Sequence, residues 1–243
     1  MTKLTSLEGP SGRTLYGVDL RLLEDWHRVG VVKYSEEPSF KLKSGIKSHV
    51  YVSAREDLTE NPDVLDDTGA IILLRARQYM FEVDDCRRPY FLGLPTAGTA
   101  LAQAAAGASK DETRVHERAA SSIVREVPKT THGADEHRNG WFVKYKPKEF
   151  RYFVLDNVIT DGDTKQMWAE RLLEDGYPAY DLDWMILIDR QQGGVENMKR
   201  RGIKNVMAIY NLLDITFAFG EMGLWPKEAV RQVEQEIIAH QFI

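Results

Sequence analysis

The segment Phe153-Val154-Leu155-Asp156-Asn157-Val158-Ile159-Thr160-Asp161-Gly162-Asp163-Thr164 joins an apolar run to a polar, glycine-bearing turn that opens a helix-forming stretch. A turn of this composition at a helix start presents backbone N–H groups and the positive end of the helix dipole, which together suit an anion. Thr160, Gly162 and Thr164 are suited to holding a phosphate monoester. Asp156 and Asn157, just upstream, are placed to hydrogen-bond vicinal sugar hydroxyls. Two carboxylates intrude, Asp161 and Asp163. A carboxylate facing a phosphate is repelled, so anion binding requires both to point away, Asp163 serving instead as an acid that complements the helix dipole. The same spacing also fits a capped helix with no ligand.

The elements that must position this turn read as an alternation of strands and helices. Val18 to Val31 predicts an amphipathic helix with Leu20, Leu23 and Trp26 on one side. A strand is expected around Val50 to Val52. Asn61-Pro62 marks a helix start, proline suiting the first helical position, and the helix runs to about Met80. Tyr90 to Gly93 predicts a strand, Thr99 to Ala106 a helix of small residues, and Ser121 to Arg125 another strand. Residues Glu126 to Asn139 are polar and without periodicity, which predicts a long loop of the kind that is often functional. Arg151 to Leu155, Trp184 to Ile188 and Val206 to Tyr210 read as strands. They are separated by helices at Thr164 to Glu174 and Val195 to Arg201. A last helix opens at Pro226 and buries Val230, Val233 and Ile237. Strands alternating with helices predict parallel crossover units. In such sheets ligands sit at the carboxyl ends of the strands.

Composition narrows the function classes. The 243 residues are 43% hydrophobic and 28% charged, with a formal net charge of −5, so no basic excess marks a nucleic-acid footprint. The single cysteine, Cys86, excludes an internal disulfide and favours a reducing compartment. Met1 to Arg13 is polar, without a signal-peptide core, and no apolar run approaches the roughly 20 residues of a membrane helix. A cytoplasmic protein without a nucleic-acid or membrane partner is expected. His27, His49, His116 and His240 are scattered, and no histidine/cysteine cluster has zinc spacing.

The turn resembles the phosphoribosyl pyrophosphate signature of the type I phosphoribosyltransferases, with Asn157 in place of that signature's second acid. Four further stretches resemble one branch, the orotate phosphoribosyltransferases. They are Phe40-Lys41-Leu42-Lys43-Ser44-Gly45-Ile46-Lys47-Ser48, Gly93 to Ala102, Arg125-Glu126 with Lys129 and His132-Gly133, and Asp189-Arg190-Gln191-Gln192-Gly193-Gly194. All five occur in the family's order.

The resemblance implies an α/β fold, a mostly parallel sheet flanked by helices, with a small N-terminal hood and a mobile catalytic loop. One domain is expected over residues 1–243: extension and hood at 1–60, core at 61–211, C-terminal helices at 212–243. The implied reaction joins orotate to the ribose 5-phosphate of phosphoribosyl pyrophosphate and releases pyrophosphate. Its demands are positioning and stabilisation of the leaving group, with no covalent nucleophile.

By this resemblance Lys43 lies near the base and the reacting pyrophosphate. Arg125, Lys129 and His132 neutralise the departing pyrophosphate, with the histidine able to pass a proton. Here Val127-Pro128 and Thr130-Thr131 lengthen the family's spacing. Thr96, Ala97 and Gly98 let the backbone approach the pyrophosphate oxygens. Arg190 clasps the orotate carboxylate with two donors. Tyr51 is a candidate for stacking on the base, although an aromatic in a strand more often joins the core. Mg²⁺ is implied as cofactor, held mainly by substrate oxygens with Asp156 the one candidate protein contact. A homodimer sharing the loop is implied as well. Two other readings stay open: a phosphoribosyltransferase for another base, and a non-catalytic sensor of phosphoribosyl pyrophosphate.

Overall fold

The computed structural model describes residues 4–41, 45, 47–114, 117–125 and 140–241. Strands β1 (Ser6–Glu8) and β2 (Thr14–Tyr16) form an antiparallel pair that leads into helix α1 (Gly17–Val29). Four short strands follow, β3 (Val32–Tyr34), β4 (Phe40–Lys41), β5 (Lys47–Ser48) and β6 (Val50–Val52), paired antiparallel as β3 with β6 and β4 with β5. After α2 (Glu56–Thr59) and α3 (Pro62–Glu82) the chain enters its alternating region. This contains β7 (Arg88–Gly93), α4 (Ala97–Gly107), β8 (Ala120–Ile123), β9 (Phe150–Ile159), α5 (Asp163–Glu174), β10 (Asp183–Asp189), α6 (Gly194–Arg200) and β11 (Asn205–Asn211). Helices α7 (Leu212–Glu221) and α8 (Lys227–Ala239) complete it.

Strands β7 to β11 make one five-stranded sheet in the order β11-β10-β9-β7-β8, with every pairing parallel. The period-two alternation of the strands divides the interior in two. Phe153, Leu155, Met185 and Leu187 face a core shared with α1, α3, α4, α7 and α8. Tyr152, Val154, Trp184 and Ile186 face a second core against α5 and α6. β10, an interior strand between β11 and β9, is buried along its whole length, as expected for a parallel strand covered on both faces.

The chain moves outward from β7 to β8, then returns to the other side of β7 and continues through β9, β10 and β11. The reversal lies between β7 and β9. This is the switch point of an open parallel sheet, where a crevice forms at the carboxyl ends. The segments leaving those two ends are 94–98 and 160–164.

One strand of the parallel sheet is longer than the sequence expectation. β9 extends past Leu155 to Ile159, because Asp156, Val158 and Ile159 continue the register with Ile186, Ile188 and Asp189 of β10. Among the described residues, no helix is long and apolar enough to cross a membrane.

Candidate active site

At the end of β9 the chain turns through Thr160 and Asp161 to Gly162, the N-cap of α5. Gly162 has φ +87°, a left-handed conformation that a side chain strains. The neighbouring turn at the start of α6 packs closely on it. A Cβ on Gly194 would lie 2.5 Å from Ile159 Cγ1 and 2.7 Å from the Thr160 carbonyl oxygen. Gly193-Gly194 therefore serves the phosphate turn directly by letting the two turns touch. Asn197 of α6 adds a hydrogen bond from its side-chain amide to the Asp161 carbonyl at 3.1 Å.

Both intruding carboxylates have partners. Asp163 is turned out to Arg201 at 2.7 Å. Asp161 accepts from the Asp163 backbone N–H at 3.0 Å, so one amide at this helix start is taken by the protein's own carboxylate. The turn is not filled: Thr160, Asp161, Gly162 and Thr164 line a cavity of about 230 Å³ together with Tyr51, Val52, Asn157, Val158, Lys165 and Arg190. A second cavity of about 210 Å³ adjoins it through Tyr51, Val52 and Asn157. A larger one of about 490 Å³ lies along β11 and takes in none of the predicted site residues.

Asp156 and Asn157 are not equivalent here. Asn157 lines both cavities, and its side-chain oxygen accepts from the Val158 N–H at 2.8 Å. Asp156 is 7% exposed and is absent from either lining. Its carboxylate accepts the Asn157 N–H at 2.8 Å and pairs with the Lys165 ammonium at 2.6 Å. Lys165 also donates to the Val158 carbonyl. The main cavity thus presents an amide and a lysine where the motif leads one to expect two acids.

Arg190 follows β10 and is only 3% exposed. Its Nε donates to Gln192 Oε1 at 3.1 Å, its Nη2 to Ser48 Oγ at 3.3 Å and its Nη1 to the Val50 carbonyl at 3.5 Å. Glu236 of α8 approaches it at 3.6 Å. Burial pulls the guanidinium pKa down, and the charge of Glu236 pushes it back up. Glu236 also accepts the His49 N–H at 2.7 Å and a bond from the Ser48 hydroxyl. One buried carboxylate on the C-terminal helix therefore ties the β5–β6 corner to Arg190. The adjacent carboxylate, Asp189, turns to the backbone instead. Asp189 accepts from the Gln191 N–H at 2.7 Å, and burial is the main cause that pushes its carboxyl up to about 6.

Tyr51 is 39% exposed, stacks on Phe40 at 5.6 Å between ring centroids, and lines both cavities. The core assignment for this aromatic is wrong, because its strand has only one covered face.

Thr96, Ala97 and Gly98 form the start of α4 at the end of β7, with Thr96 exposed. A Cβ on Gly98 would lie 2.3 Å from the Leu155 carbonyl oxygen, so packing against β9 alone demands a small residue there. These three share the sheet end with the phosphate turn but not its cavity. Arg125 donates from Nη1 to the Gly140 carbonyl at 2.9 Å, and its backbone N–H reaches the Trp141 carbonyl at 3.0 Å. The guanidinium thus links Arg125 to Gly140, the described residues that flank positions 126–139, and lines neither cavity. Lys43, Lys129 and His132 lie outside the described residues.

Among the described residues, no three histidine, cysteine or acidic side chains cluster to hold a metal. With Asp156 paired to Lys165, the chain offers no preformed cation cage here. The donor set fits a Mg²⁺ ion only as part of a substrate complex, carried by phosphate oxygens.

A parallel sheet with its switch point beside a phosphate-type turn defines a class, and the chain has the fold of the type I phosphoribosyltransferases. Among solved structures it is similar to Leishmania donovani UMP synthase, with TM-score 0.65 and 18% identity over 90% of this chain and 42% of that one. It is also similar to the orotate phosphoribosyltransferase of Aeropyrum pernix, with TM-score 0.54 and 19% identity over 84% of this chain and 99% of that one.

In sequence the chain is similar to several orotate phosphoribosyltransferases. It is 26% identical to the orotate phosphoribosyltransferase of a Nostoc species over 77% of this chain and 82% of that protein. It is 28% identical to that of Aquifex aeolicus over 71% and 84%. Bovine uridine 5'-monophosphate synthase matches at 24% over 84% of this chain, which spans only 38% of that protein. No family model matches the chain.

Proposed function

We propose that the chain transfers ribose 5-phosphate from phosphoribosyl pyrophosphate to orotate, giving orotidine 5'-monophosphate and pyrophosphate in pyrimidine nucleotide synthesis. The observation that carries this reading is the single cavity that joins the phosphate turn, Asn157, Tyr51 and Arg190 at the switch point of the sheet. The turn takes the 5-phosphate and Asn157 a ribose hydroxyl. The base lies against Tyr51, with its carboxylate toward Arg190. The base nitrogen attacks the anomeric carbon as the bond to pyrophosphate breaks, so the protein's task is to align the two and to stabilise the departing charge. Mg²⁺, if bound, would be held mainly by the donor's phosphate oxygens and would offset their charge. Lys43, Lys129 and His132, with Arg125 at the neck of their segment, supply positive charge to the leaving group. Residues 1–60 act as the hood, 61–211 as the donor-binding core and 212–243 as its buttress. The protein works in the cytoplasm as a homodimer whose loop serves the neighbouring site.

One observation favours a different acceptor. The arginine meant for the orotate carboxylate already has the Glu236 carboxylate 3.6 Å away. The deciding experiment follows pyrophosphate release from phosphoribosyl pyrophosphate and Mg²⁺ with a panel of bases. Turnover with orotate alone is expected, and Arg190→Ala is expected to raise chiefly the KM for orotate. Turnover with another base alone selects the second reading. Donor binding without turnover selects a sensor.

A further inference from the structure

We propose that Lys165 is a donor-binding residue whose ammonium, held in place by Asp156, complements the anionic sugar-phosphate half of the donor. This rests on the phosphoribosyl-donor reading of the cavity.

Lysine is almost never fully buried unless paired, and the Lys165 side chain is 8% exposed. It stands on the apolar stripe of α5, in line with Trp168, Ala169 and Leu172. A buried ion pair adds little net stability over apolar side chains of similar volume. Stability therefore gives a lysine no advantage at this position, whereas a polyanion beside it does. An ammonium carries three N–H donors, and Asp156 and the Val158 carbonyl account for two among the described residues. The residue lines the same cavity as Thr160, Gly162 and Thr164.

The composition of the turn supplies the reason. Asp161 places a negative charge at the rim and occupies the Asp163 N–H, which costs the turn both a donor and positive potential. Lys165 restores one of each from below. Asp156, whose carboxylate fixes the ammonium at 2.6 Å, is then a positioning residue.

The test is calorimetric titration of the full chain with ribose 5-phosphate and, separately, with phosphoribosyl pyrophosphate, each with Mg²⁺ and with chelator. Ribose 5-phosphate carries the half of the donor that faces this turn and brings no pyrophosphate. Lys165→Met is expected to weaken both ligands by about tenfold or more, by the same factor with and without Mg²⁺, since the contact does not pass through the ion. Should the lone Asp156 charge prevent folding, Asp156→Leu with Lys165→Met removes both buried charges at once, and the same loss of affinity is expected. Unchanged ribose 5-phosphate affinity in the folded variants overturns the proposal while leaving the donor reading intact. A loss confined to phosphoribosyl pyrophosphate overturns it equally, because the lysine would then serve the pyrophosphate. A wild-type chain that binds neither ligand refutes the donor reading itself, and this proposal with it.

Discussion

Replacing Glu236 with alanine tests whether the C-terminal helix holds the site together. In the wild type this carboxylate is about 6% exposed at the side chain and faces Arg190, which is 4% exposed, at 3.6 Å. It also takes the His49 N–H at 2.7 Å and a bond from the Ser48 hydroxyl. Without it, Arg190 keeps a buried charge whose remaining partners are the neutral acceptors of Gln192, Ser48 and Val50 at 3.1 to 3.5 Å, and the His49 N–H loses its acceptor. Breaking a buried pair by removing one partner costs roughly 3–5 kcal/mol. For a chain of this size that corresponds to a fall in Tm of roughly 6–20 °C. Glu236→Gln keeps an oxygen for His49 but not the charge, and about 1–3 kcal/mol is expected. The measurement is denaturant unfolding of the ligand-free chain, with Arg190→Met/Glu236→Leu measured beside it. The double variant should be more stable than Glu236→Ala, because it leaves no buried charge behind. A loss below about 1 kcal/mol for Glu236→Ala would falsify the network, since another group must then be compensating Arg190.

Two further outcomes are expected. Gly194→Ala puts a methyl 2.7 Å from the Thr160 carbonyl oxygen and 2.5 Å from Ile159 Cγ1. It should cost about 1–3 kcal/mol by overpacking and weaken ribose 5-phosphate binding by displacing the turn, and normal affinity in calorimetry would show that the turn does not depend on this contact. The Asp189 carboxyl, raised to about 6 by burial in the fold, lies above its unfolded value of about 3.9. Ionisation is disfavoured in the folded state, so this group lowers stability as pH rises from about 4 through 6. Asp189→Asn, which keeps an acceptor for the Gln191 N–H, should stabilise the chain at pH 7 by at most about 3 kcal/mol. It should gain almost nothing at pH 4, and equal gains at both pH values in urea titrations would remove the titration from the account.

The parallel sheet was legible because its strands are covered on both faces and therefore read as apolar runs. Trp184 to Ile188 is the clearest case, and the structure buries it throughout. The end of β9 was not legible. Asp156 and Asn157 look like a turn, yet their backbone stays paired to β10 while their side chains find other partners. The pairs β3 with β6 and β4 with β5 are two or three residues long. Periodicity has no room to show itself over such lengths. Side-chain contacts hold them as well: Tyr51 of β6 stacks on Phe40 of β4, and Glu236 of α8 binds the β5–β6 corner.

The site was readable where its chemistry is carried by a turn and unreadable where it is carried by a helix interior. Thr160, Gly162 and Thr164 announce themselves by composition and meet in one cavity with Tyr51 and Arg190. Lys165 and Glu236 do not, and both were missed for the same reason: a lysine or glutamate on a helix is ordinarily a solvated side chain. A usable signal was nevertheless present. In α5 the buried positions are Lys165, Trp168, Ala169 and Leu172, and in α8 they are Ala229, Val233, Glu236 and Ile237. Each set follows the three-to-four spacing of an inward face, and each contains one charge. A charge on that face needs a buried partner, and the partners these two find are Asp156 and Arg190, two residues that the motifs had already marked. Reading inward-facing charges against the motif residues of opposite sign puts Asp156 among the candidate partners of Lys165 and Arg190 among those of Glu236, and the structure selects these two, linking the C-terminal helix to the cavity.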